Sequence, residues 1–225
     1  MLWCLENVRD NIRTRQGRRV FFLGEGDTLT SSARDYLTEE RIPIVPAAQA
    51  KITRYRGLDG CYYEEKPEHM TQLTGEVLVP KTHPRIRFRG SLDSLESRIL
   101  LLALEEPELQ AQCSELLDFV RQILKCEVLE EPFRADRLLG LTLDQVRAYS
   151  QLPQQYLGIP HFMPGPRHGL RVARLNGLRT QVRQTELAAA QAFPEGREDI
   201  IRGLNRLSSA VYILMLKCVQ QQGAT

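Results

Sequence analysis

The sequence predicts a mainly α-helical protein, an antiparallel bundle of four or five helices preceded by a small α+β appendage. Two observations predict this division. From about residue 88 onward, apolar residues recur every three or four positions along segments that proline or glycine interrupts. The first eighty residues instead combine short β-branched and aromatic runs with one helical segment. We therefore expect an appendage over residues 1–80 and a helical-bundle domain over residues 81–225.

Four short patterns predict the elements of the appendage. The runs at 19–23 (RVFFL) and 42–45 (IPIV) are rich in β-branched and aromatic residues, which indicates strands. Between them, residues 30–41 (TSSARDYLTEER) begin with a capping threonine and indicate a helix. Residues 51–65 indicate a hairpin because Asp59-Gly60 is a favoured two-residue turn.

Five helices are predicted after the appendage. The first carries one apolar stripe, formed by Leu92, Leu95, Ile99 and Leu102. A second covers about residues 108–128, and a short third begins at Thr142, which can form a capping box with Gln145. Two long helices at about 167–193 and 195–221 are joined by a short connection, which predicts antiparallel neighbours.

Composition and charge exclude several functional classes. The net charge is +2, from 30 basic and 28 acidic residues, so no overall field attracts nucleic acid. No apolar signal segment follows Met1, and no run approaches the ~18 apolar residues of a membrane span, which predicts a cytoplasmic protein. The five cysteines contain no Cys-x-x-Cys pair and the four histidines form no zinc motif, so we expect no metal held by protein cysteine or histidine.

Familiar nucleotide and nucleophile motifs are missing as well. The sequence contains neither the P-loop pattern nor the glycine pattern of a Rossmann turn, so a nucleotide would have to be bound by other means. It also contains no nucleophile elbow of the serine hydrolase type.

Polar residues stand beside the apolar stripes of the two long helices. Arg179, Arg183 and Glu186 follow one another at steps of four and three residues, so they share one helix face. On the last helix, Asn205 lies next to core-facing positions although asparagine is a poor helix former. Spacing alone leaves two alternatives open: the charges can form a solvated ion-pair ladder, and the asparagine can be simply exposed.

A basic segment, residues 81–90 (KTHPRIRFRG), precedes the first bundle helix. Its basic residues are Lys81, Arg85, Arg87 and Arg89. Since Pro84 opposes a helix before it, we expect an extended segment whose alternating arginines share one face. Such a face suits an oligophosphate. Nucleic acid is the alternative ligand, although the cluster is short.

Four segments, in order along the chain, resemble the cobalamin (corrinoid) adenosyltransferase family, and in particular its ethanolamine-utilisation branch. They are KTHPRIRFRGSLDSLES, HFMPGPRHG, LRTQVRQTELAAAQ and LNRLSSAVY. In that family a lysine and a Gly-x-x-Asp segment open the first helix, here Lys81 and residues 90–93. A Phe-x-x-Pro-Gly-like turn precedes the fourth helix, here residues 162–165. An Arg-x-x-x-Arg-x-x-Glu ridge (179–186) and an Asn-Arg-Leu-Ser segment (205–208) follow. The resemblance covers about residues 66 to 220.

The resemblance implies a helical bundle, usually trimeric, with ATP held at the boundary between subunits. It implies that Lys81 and Arg183 contact the phosphates of ATP. Glu186 and Asn205 are implied to hold the nucleotide, with Mg²⁺ bound through ATP and through Glu186. The cobalt of the corrinoid is itself the nucleophile, so the missing protein nucleophile agrees with this activity.

The resemblance also implies roles near the corrinoid. Asp93 is implied to pair with Arg179 across the subunit interface, and both, with Arg183, to act in catalysis. Phe162 matches an apolar wedge that removes the lower axial ligand of the cobalt and so eases its reduction, and Pro164 belongs to the same corrinoid-binding turn. A phenylalanine that only anchors the loop is the alternative.

Two departures from the family pattern limit the expected sites. Residues 24–28 (GEGDT) have the composition of the family's N-terminal phosphate loop but lie much farther from the bundle, so we do not assign them to ATP. Some members of the branch carry a Cys-Cys-x-x-Cys metal motif, whereas this chain has only Cys61 near the equivalent region. A structural metal is therefore not predicted.

The predicted function is an ATP-dependent cob(I)alamin adenosyltransferase that makes adenosylcobalamin for ethanolamine catabolism. The implied partners are ATP, a corrinoid, further copies of the chain, ethanolamine ammonia-lyase and a flavoprotein reductant, in association with a bacterial microcompartment; neither nucleic acid nor a membrane is expected. The alternative is a non-catalytic corrinoid-binding, nucleotide-binding or scaffold protein with the same bundle. The joint presence of the ridge residues, Asp93 and Asn205 speaks against that alternative.

Overall fold

The computed structural model describes residues 1–15, 18–49 and 55–223, and the chain divides into two compact units. The first unit is Met1–His83 and the second is Pro84–Thr225. No helix within the described ranges is both long and apolar enough to cross a membrane.

The first unit is a small α+β fold. Its elements in chain order are β1 (Leu2–Trp3), α1 (Leu5–Asp10), β2 (Arg13–Arg15), β3 (Arg18–Leu23), β4 (Thr28–Leu29), α2 (Ser31–Glu39), β5 (Ile44–Pro46), β6 (Tyr55–Gly57), β7 (Tyr62–Tyr63), β8 (Met70–Thr74) and β9 (Val77–Pro80). In the described part of this unit, seven strands form a mixed sheet with the order β5-β3-β2-β7-β6-β9-β8. A small core packs α1 and α2 beside β3, and its members are Val8, Ile12, Phe21, Ala33, Leu37 and Ile42.

The patterns expected in the first unit are confirmed where the structure describes them. The run at 19–23 lies within β3, and the second half of the run at 42–45 lies within β5, which pairs with β3 in parallel. α2 follows Thr30, whose Oγ1 accepts a hydrogen bond from the backbone N–H of Ala33 at 3.3 Å. β6 and β7 form the hairpin, with Gly60 at a φ of +81° that glycine adopts without steric cost. Residues 51–54 of the expected hairpin lie outside the described residues.

The second unit is built from helices that pack into a bundle-like arrangement. Its elements are α3 (Pro84–Glu105), α4 (Gln110–Val128), β10 (Arg137–Leu138), β11 (Leu141–Thr142), α5 (Leu143–Gln151), α6 (Pro153–Leu157), α7 (Gly169–Ala192) and α8 (Glu198–Gly223). α3 packs against α4 and α7, while α8 packs against α7 and α5. The predicted stripe of α3 is buried, and the capping box at Thr142 is formed with both of its hydrogen bonds.

Side-chain contacts show that the neighbouring long helices run antiparallel. Thr185, near the end of α7, donates a hydrogen bond to the carbonyl of Ser91 near the start of α3, at 3.3 Å. Gln222, near the end of α8, donates to the carbonyl of His168, which directly precedes α7, at 3.1 Å. The short connection predicted between the last two helices therefore joins antiparallel neighbours, α7 and α8.

The expectation of an extended segment at residues 85–89 was wrong, because α3 begins at Pro84. Proline disfavours a helix only for the residues before it and is well suited to the first helical position, where its missing N–H is not needed. In the helix, Arg85 and Arg89 lie one turn apart and share the carboxylate of Glu127 on α4. The Nε atoms of Arg85 and Arg89 lie 2.6 and 2.5 Å from the two carboxylate oxygens. These two arginines therefore neutralise a buried glutamate and do not form an oligophosphate face with Arg87.

Three cysteines are buried in the bundle, as their position in apolar stripes predicted. They are Cys113, Cys126 and Cys218. Burial raises the pKa of the Cys113 thiol to about 11 and also raises the pKa values of Cys126 and Cys218. All three therefore remain protonated at neutral pH and pack as small apolar side chains.

A second buried carboxylate ties the α3–α4 connection to α7. Glu106 accepts hydrogen bonds from Arg171 Nε at 2.8 Å and from Arg174 Nη1 at 2.7 Å. Burial by itself would raise the pKa of Glu106, but the hydrogen bonds and positive charges of the two arginines outweigh it and hold the pKa below its ordinary value of 4.5.

This ion cluster predicts an acid-dependent loss of stability. Because the pKa of Glu106 is lower in the folded chain than in the unfolded one, its contribution is complete above about pH 4.5 and is lost as the pH falls through the folded-state pKa. We expect the gap in unfolding free energy between wild type and Glu106→Gln, measured by urea denaturation, to narrow on acidification below that pH. Glu105→Gln is the exposed control and should change less. A gap that stays constant down to the acid transition would contradict this account.

Candidate functional site

The α7–α8 pair carries most of the polar residues singled out in the sequence. The facing apolar stripes are buried, and their members are Leu175, Leu178, Val182, Leu204, Leu207, Val211 and Leu214. Beside this contact, Asn205 Nδ2 on α8 donates a hydrogen bond to Glu186 Oε1 on α7 at 3.1 Å. The two residues that the resemblance assigns to the nucleotide are therefore brought together by the fold.

The Glu186–Asn205 pair opens into a cavity of about 460 Å³ between α5, α7 and α8, which we call the arginine cavity. Its lining residues are Arg147, Gln151, Glu186, Glu198, Ile201, Arg202, Asn205 and Arg206. Two hydrogen bonds orient the amide of Asn205, because its Nδ2 donates to Glu186 and its Oδ1 accepts from Arg206 Nη1 at 2.7 Å. A carboxylate, an amide and three guanidinium groups can together hold phosphate oxygens and a divalent cation.

A second cavity of about 520 Å³ lies on the turn before α7, and we call it the ring cavity. Its lining residues are His161, Phe162, Met163, Pro164, Asn176, Arg179 and Tyr212. Phe162 is half-buried, its ring 4.8 Å from that of His168 and stacked at 6.1 Å on that of Tyr212. The structure thus brings Phe162, Pro164 and Arg179 together around one partly apolar space.

The turn is held by hydrogen bonds that fix both neighbouring histidines. His161 Nε2 lies 3.0 Å from the carbonyl of Gln151, which can only accept, so this nitrogen donates. In the neutral ring, Nδ1 then accepts from the hydroxyl of Tyr212 at 3.0 Å. The buried His168 accepts a hydrogen bond at Nδ1 from the backbone N–H of Gly165, at 3.0 Å. These contacts fix the direction in which the rings of the turn face the cavity.

Three of the predicted site residues are not brought into these two cavities. Arg183 is exposed on α7, between Arg179 and Glu186. Asp93 is exposed on α3. Lys81 belongs to the first unit, where it is exposed and lies 3.6 Å from the carboxylate of Glu68.

Comparison with known proteins identifies the family. Residues 61–218 match the family model of the cobalamin adenosyltransferases. The chain belongs to this family. The corrinoid adenosyltransferases EutT of Salmonella typhimurium (strain LT2) and of Escherichia coli (strain K12) are each 36% identical to it over 167 residues, 72% of this chain. The chain spans 62% of the length of these two relatives.

The fold of this family member is shared with a solved structure. A variant of a PduO-type ATP:corrinoid adenosyltransferase from Lactobacillus reuteri, complexed with cobalamin and ATP, matches with a TM-score of 0.55 at 16% identity. The match covers 69% of this chain and 91% of that chain. At this identity the similarity shows that the two chains share a fold.

The turn before α7 is one residue shorter in this family member than the Phe-x-x-Pro-Gly pattern. It reads Phe162-Met163-Pro164-Gly165, so the residue three positions before Pro164 is His161. Both rings line the ring cavity. Two neighbouring rings, those of His161 and Phe162, therefore stand where the Phe-x-x-Pro-Gly pattern has one phenylalanine.

Sequence reasoning missed several residues of the two cavities. Arg147, Arg202 and Arg206 line the arginine cavity, and His161 and Tyr212 line the ring cavity. Three of these residues carried a signal, because Arg206 and Tyr212 stand inside the LNRLSSAVY segment and His161 stands inside HFMPGPRHG. Arg147 carried none, because it reaches the cavity from a different helix. Within the described ranges, no three His, Cys, Asp or Glu side chains come together as a candidate metal site.

Proposed function

We propose that this chain is an ATP:corrinoid adenosyltransferase, which transfers the 5′-deoxyadenosyl group of ATP to Co(I) of a cobalamin for use in ethanolamine catabolism. The observation that carries the proposal is the placement of the two cavities along one helix pair. The family match and the 36% identity to the two EutT proteins support it.

The spacing of the cavities suits a reaction between two bound substrates. On α7, Arg179 precedes Glu186 by seven residues. On α8, Tyr212 follows Asn205 by seven residues. Because the helices are antiparallel, both steps lead in the same direction. Seven residues make about two turns, so the cavities share one face and lie about 10 Å apart. Cobalt must approach C5′ of the nucleotide, and neighbouring sites on one face allow this approach.

The Glu186–Asn205 pair is the proposed nucleotide site. Mg²⁺ fits the carboxylate of Glu186, because carboxylate oxygens are among the ligands it prefers, and when bound it would supply positive charge to the phosphates. Arg183 lies between the two cavities, three residues before Glu186 and four after Arg179. From there its guanidinium can neutralise the triphosphate leaving group as the bond to C5′ breaks. Lys81 is proposed to contact the same phosphates.

The ring cavity is the proposed corrinoid site. Phe162 and Pro164 offer cobalt no donor atom, so a corrinoid bound against them loses access to a lower axial ligand and to water. Arg179 stands at the edge of this cavity and is proposed to pair with Asp93 of a second copy of the chain. Over the described residues, no ion pair joins Asp93 and Arg179 of the same chain.

The direct test is adenosyl transfer by the purified chain. Protein is incubated with ATP, Mg²⁺ and cobalamin that has been reduced chemically to Co(I), and the corrinoid absorption spectrum is followed in the presence of excess ATP. Formation of adenosylcobalamin and of one triphosphate for each adenosyl group is the expected result. An unchanged spectrum with folded protein would reject the proposal.

Phe162→Ala tests the proposed wedge. Removing the ring should lower adenosylation from Co(II) cobalamin with a reductant by about tenfold or more, and should leave adenosylation of pre-reduced Co(I) nearly unchanged. Leu170→Ala, on a 64% exposed apolar residue at the start of α7 that is not among the lining residues of either cavity, is the matched control. Equal losses of adenosylation rate from Co(II) and from pre-reduced Co(I) would contradict the wedge role of Phe162.

We further propose that the chain acts as a homotrimer with ATP at the subunit boundary. A flavoprotein is the proposed reductant, and ethanolamine ammonia-lyase, within a bacterial microcompartment, is the proposed consumer of the product. The trimer, which would place the exposed Asp93 at an interface, is tested by the molar mass in light scattering with and without ATP. A monomeric mass under conditions of full activity would exclude it.

A further inference from the structure

The arginine cavity is lined by positively charged side chains that have no part in the nucleotide contacts proposed above for Glu186 and Asn205. Three arginines line it, Arg147 from α5 and Arg202 and Arg206 from α8. Two carboxylates, Glu186 and Glu198, line it as well, so the formal charge of the lining is +1, from three positive and two negative side chains. A divalent cation at the Glu186–Asn205 pair would make it more positive still. Charge complementarity therefore favours an anion.

Arg206 is the arginine of this cavity whose contacts indicate a bound ligand. It is only 8% exposed, and its Nη1 donates to Asn205. Its Nε is buried and lacks a hydrogen-bond partner within the part of the chain that the structure describes. Among the same residues, no carboxylate forms an ion pair with its guanidinium. A buried charge normally has a partner of opposite charge, because its desolvation is otherwise uncompensated.

The neighbouring charges leave this arginine poorly compensated. Burial lowers the pKa of Arg206, and the positive charge of Arg147 lowers it further, while Asp144 offsets part of this effect. Asn205 is the only side chain that accepts a hydrogen bond from Arg206 among the described residues, and it is the same residue that contacts Glu186. The arginine and the proposed nucleotide site are thus joined through one amide.

We propose that Arg206, with Arg147 and Arg202, receives the triphosphate chain of the bound nucleoside triphosphate. The assignment rests on the proposed function for the identity of the nucleotide. Phosphates that leave the Glu186–Asn205 pair on the side of Arg206 enter the arginine cavity. The arginines at 85 and 89, which the sequence suggested for this task, are already neutralised by Glu127. Among the residues that the structure describes, no carboxylate forms an ion pair with the three arginines of the cavity.

The experiment measures binding without the corrinoid. Inorganic triphosphate and ATP, each with Mg²⁺, are titrated into the full chain by calorimetry, and adenosine is titrated as a ligand without phosphates. The test variant is Arg147→Ala/Arg202→Ala, because both side chains are exposed and their loss leaves the core intact. The charge-matched control is Lys125→Ala/Lys217→Ala, which removes two exposed cations from α4 and α8.

The double arginine variant should raise the Kd of triphosphate and of ATP by about tenfold or more, since each charge-assisted contact supplies a large part of phosphate affinity. The Kd of adenosine should stay the same, and the lysine control should change the triphosphate Kd less than about twofold. Arg206→Gln should weaken triphosphate binding in the same way, with circular dichroism as the check that the buried substitution has not unfolded the chain.

The outcomes separate this site from the proposed function. Unchanged triphosphate affinity in Arg147→Ala/Arg202→Ala overturns the site even if the chain makes adenosylcobalamin. An equal loss of triphosphate affinity in the lysine control also overturns it, because the effect is then one of overall charge. Arginine-dependent triphosphate binding by a chain that makes no adenosylcobalamin supports the anion site and rejects the proposed function.

Discussion

Arg183→Ala is expected to reduce kcat/KM for adenosyl transfer by about 10²- to 10³-fold, the loss seen when one donor to a developing negative charge is removed. Arg183 lies on α7 between the residues that face the two cavities, so its guanidinium can reach the leaving triphosphate. It is exposed and does not contribute to the core, so the free energy of unfolding should change little. The rate is measured with pre-reduced Co(I) cobalamin, which isolates the transfer from the reduction of cobalt.

Two variants serve as controls for Arg183→Ala. Gln184→Ala alters the next exposed side chain of α7 and should leave kcat/KM unchanged. Arg183→Lys keeps the charge but loses the bidentate geometry, so it should recover only part of the rate. Wild-type turnover in Arg183→Ala would remove the phosphate role of this residue while leaving the assignment of the Glu186–Asn205 pair untouched.

Glu127→Gln is expected to cause the largest loss of stability, about 3–5 kcal/mol in the free energy of unfolding. The Glu127 side chain is completely buried, whereas those of Arg85 and Arg89 are 15% and 17% exposed. A neutral amide at position 127 leaves two largely buried guanidiniums without their common carboxylate. Urea denaturation of the purified chain measures the effect, and an unchanged urea dependence would show that the loss arises in the folded state.

Glu130→Gln is the matched control for this second prediction. Glu130 binds the same arginine, with its carboxylate 2.7 Å from Arg85 Nη1, but its side chain is 58% exposed. Water screens such a pair, so its loss should cost only about 0–1 kcal/mol. Similar losses in the two variants would mean that burial of the carboxylate is not what makes the α3–α4 contact strong.

Local patterns in the sequence predicted most helices and strands. The capping box at Thr142 and the glycine turn at Gly60 were found where residue chemistry within four positions required them. The same reasoning failed at Pro84. There, the effect of proline on the residues before it was extended to the residues after it, where a helix was in fact favoured.

The candidate site was predictable only in part. The ridge on α7 and Asn205 on α8 followed from spacing and from the family resemblance, and the hydrogen bond between Glu186 and Asn205 agrees with that pairing. The partners of Arg206 could not be found in this way. Its cavity is completed by Arg147, which is 59 residues earlier in the chain and has no periodic relation to α8.

The sequence by itself determined the helical second unit, the α+β character of the first and the family, because periodicity, turns and ordered motifs act over short stretches of chain. Only the tertiary structure decided which charges are neutralised and which remain available. Arg85 and Arg89 meet Glu127 across separations of 42 and 38 residues, whereas Arg206 is buried with an amide as its partner. Packing between helices decides which charges form ion pairs, because the interaction depends on distance in space. The order of charged residues along the chain does not predict these distances.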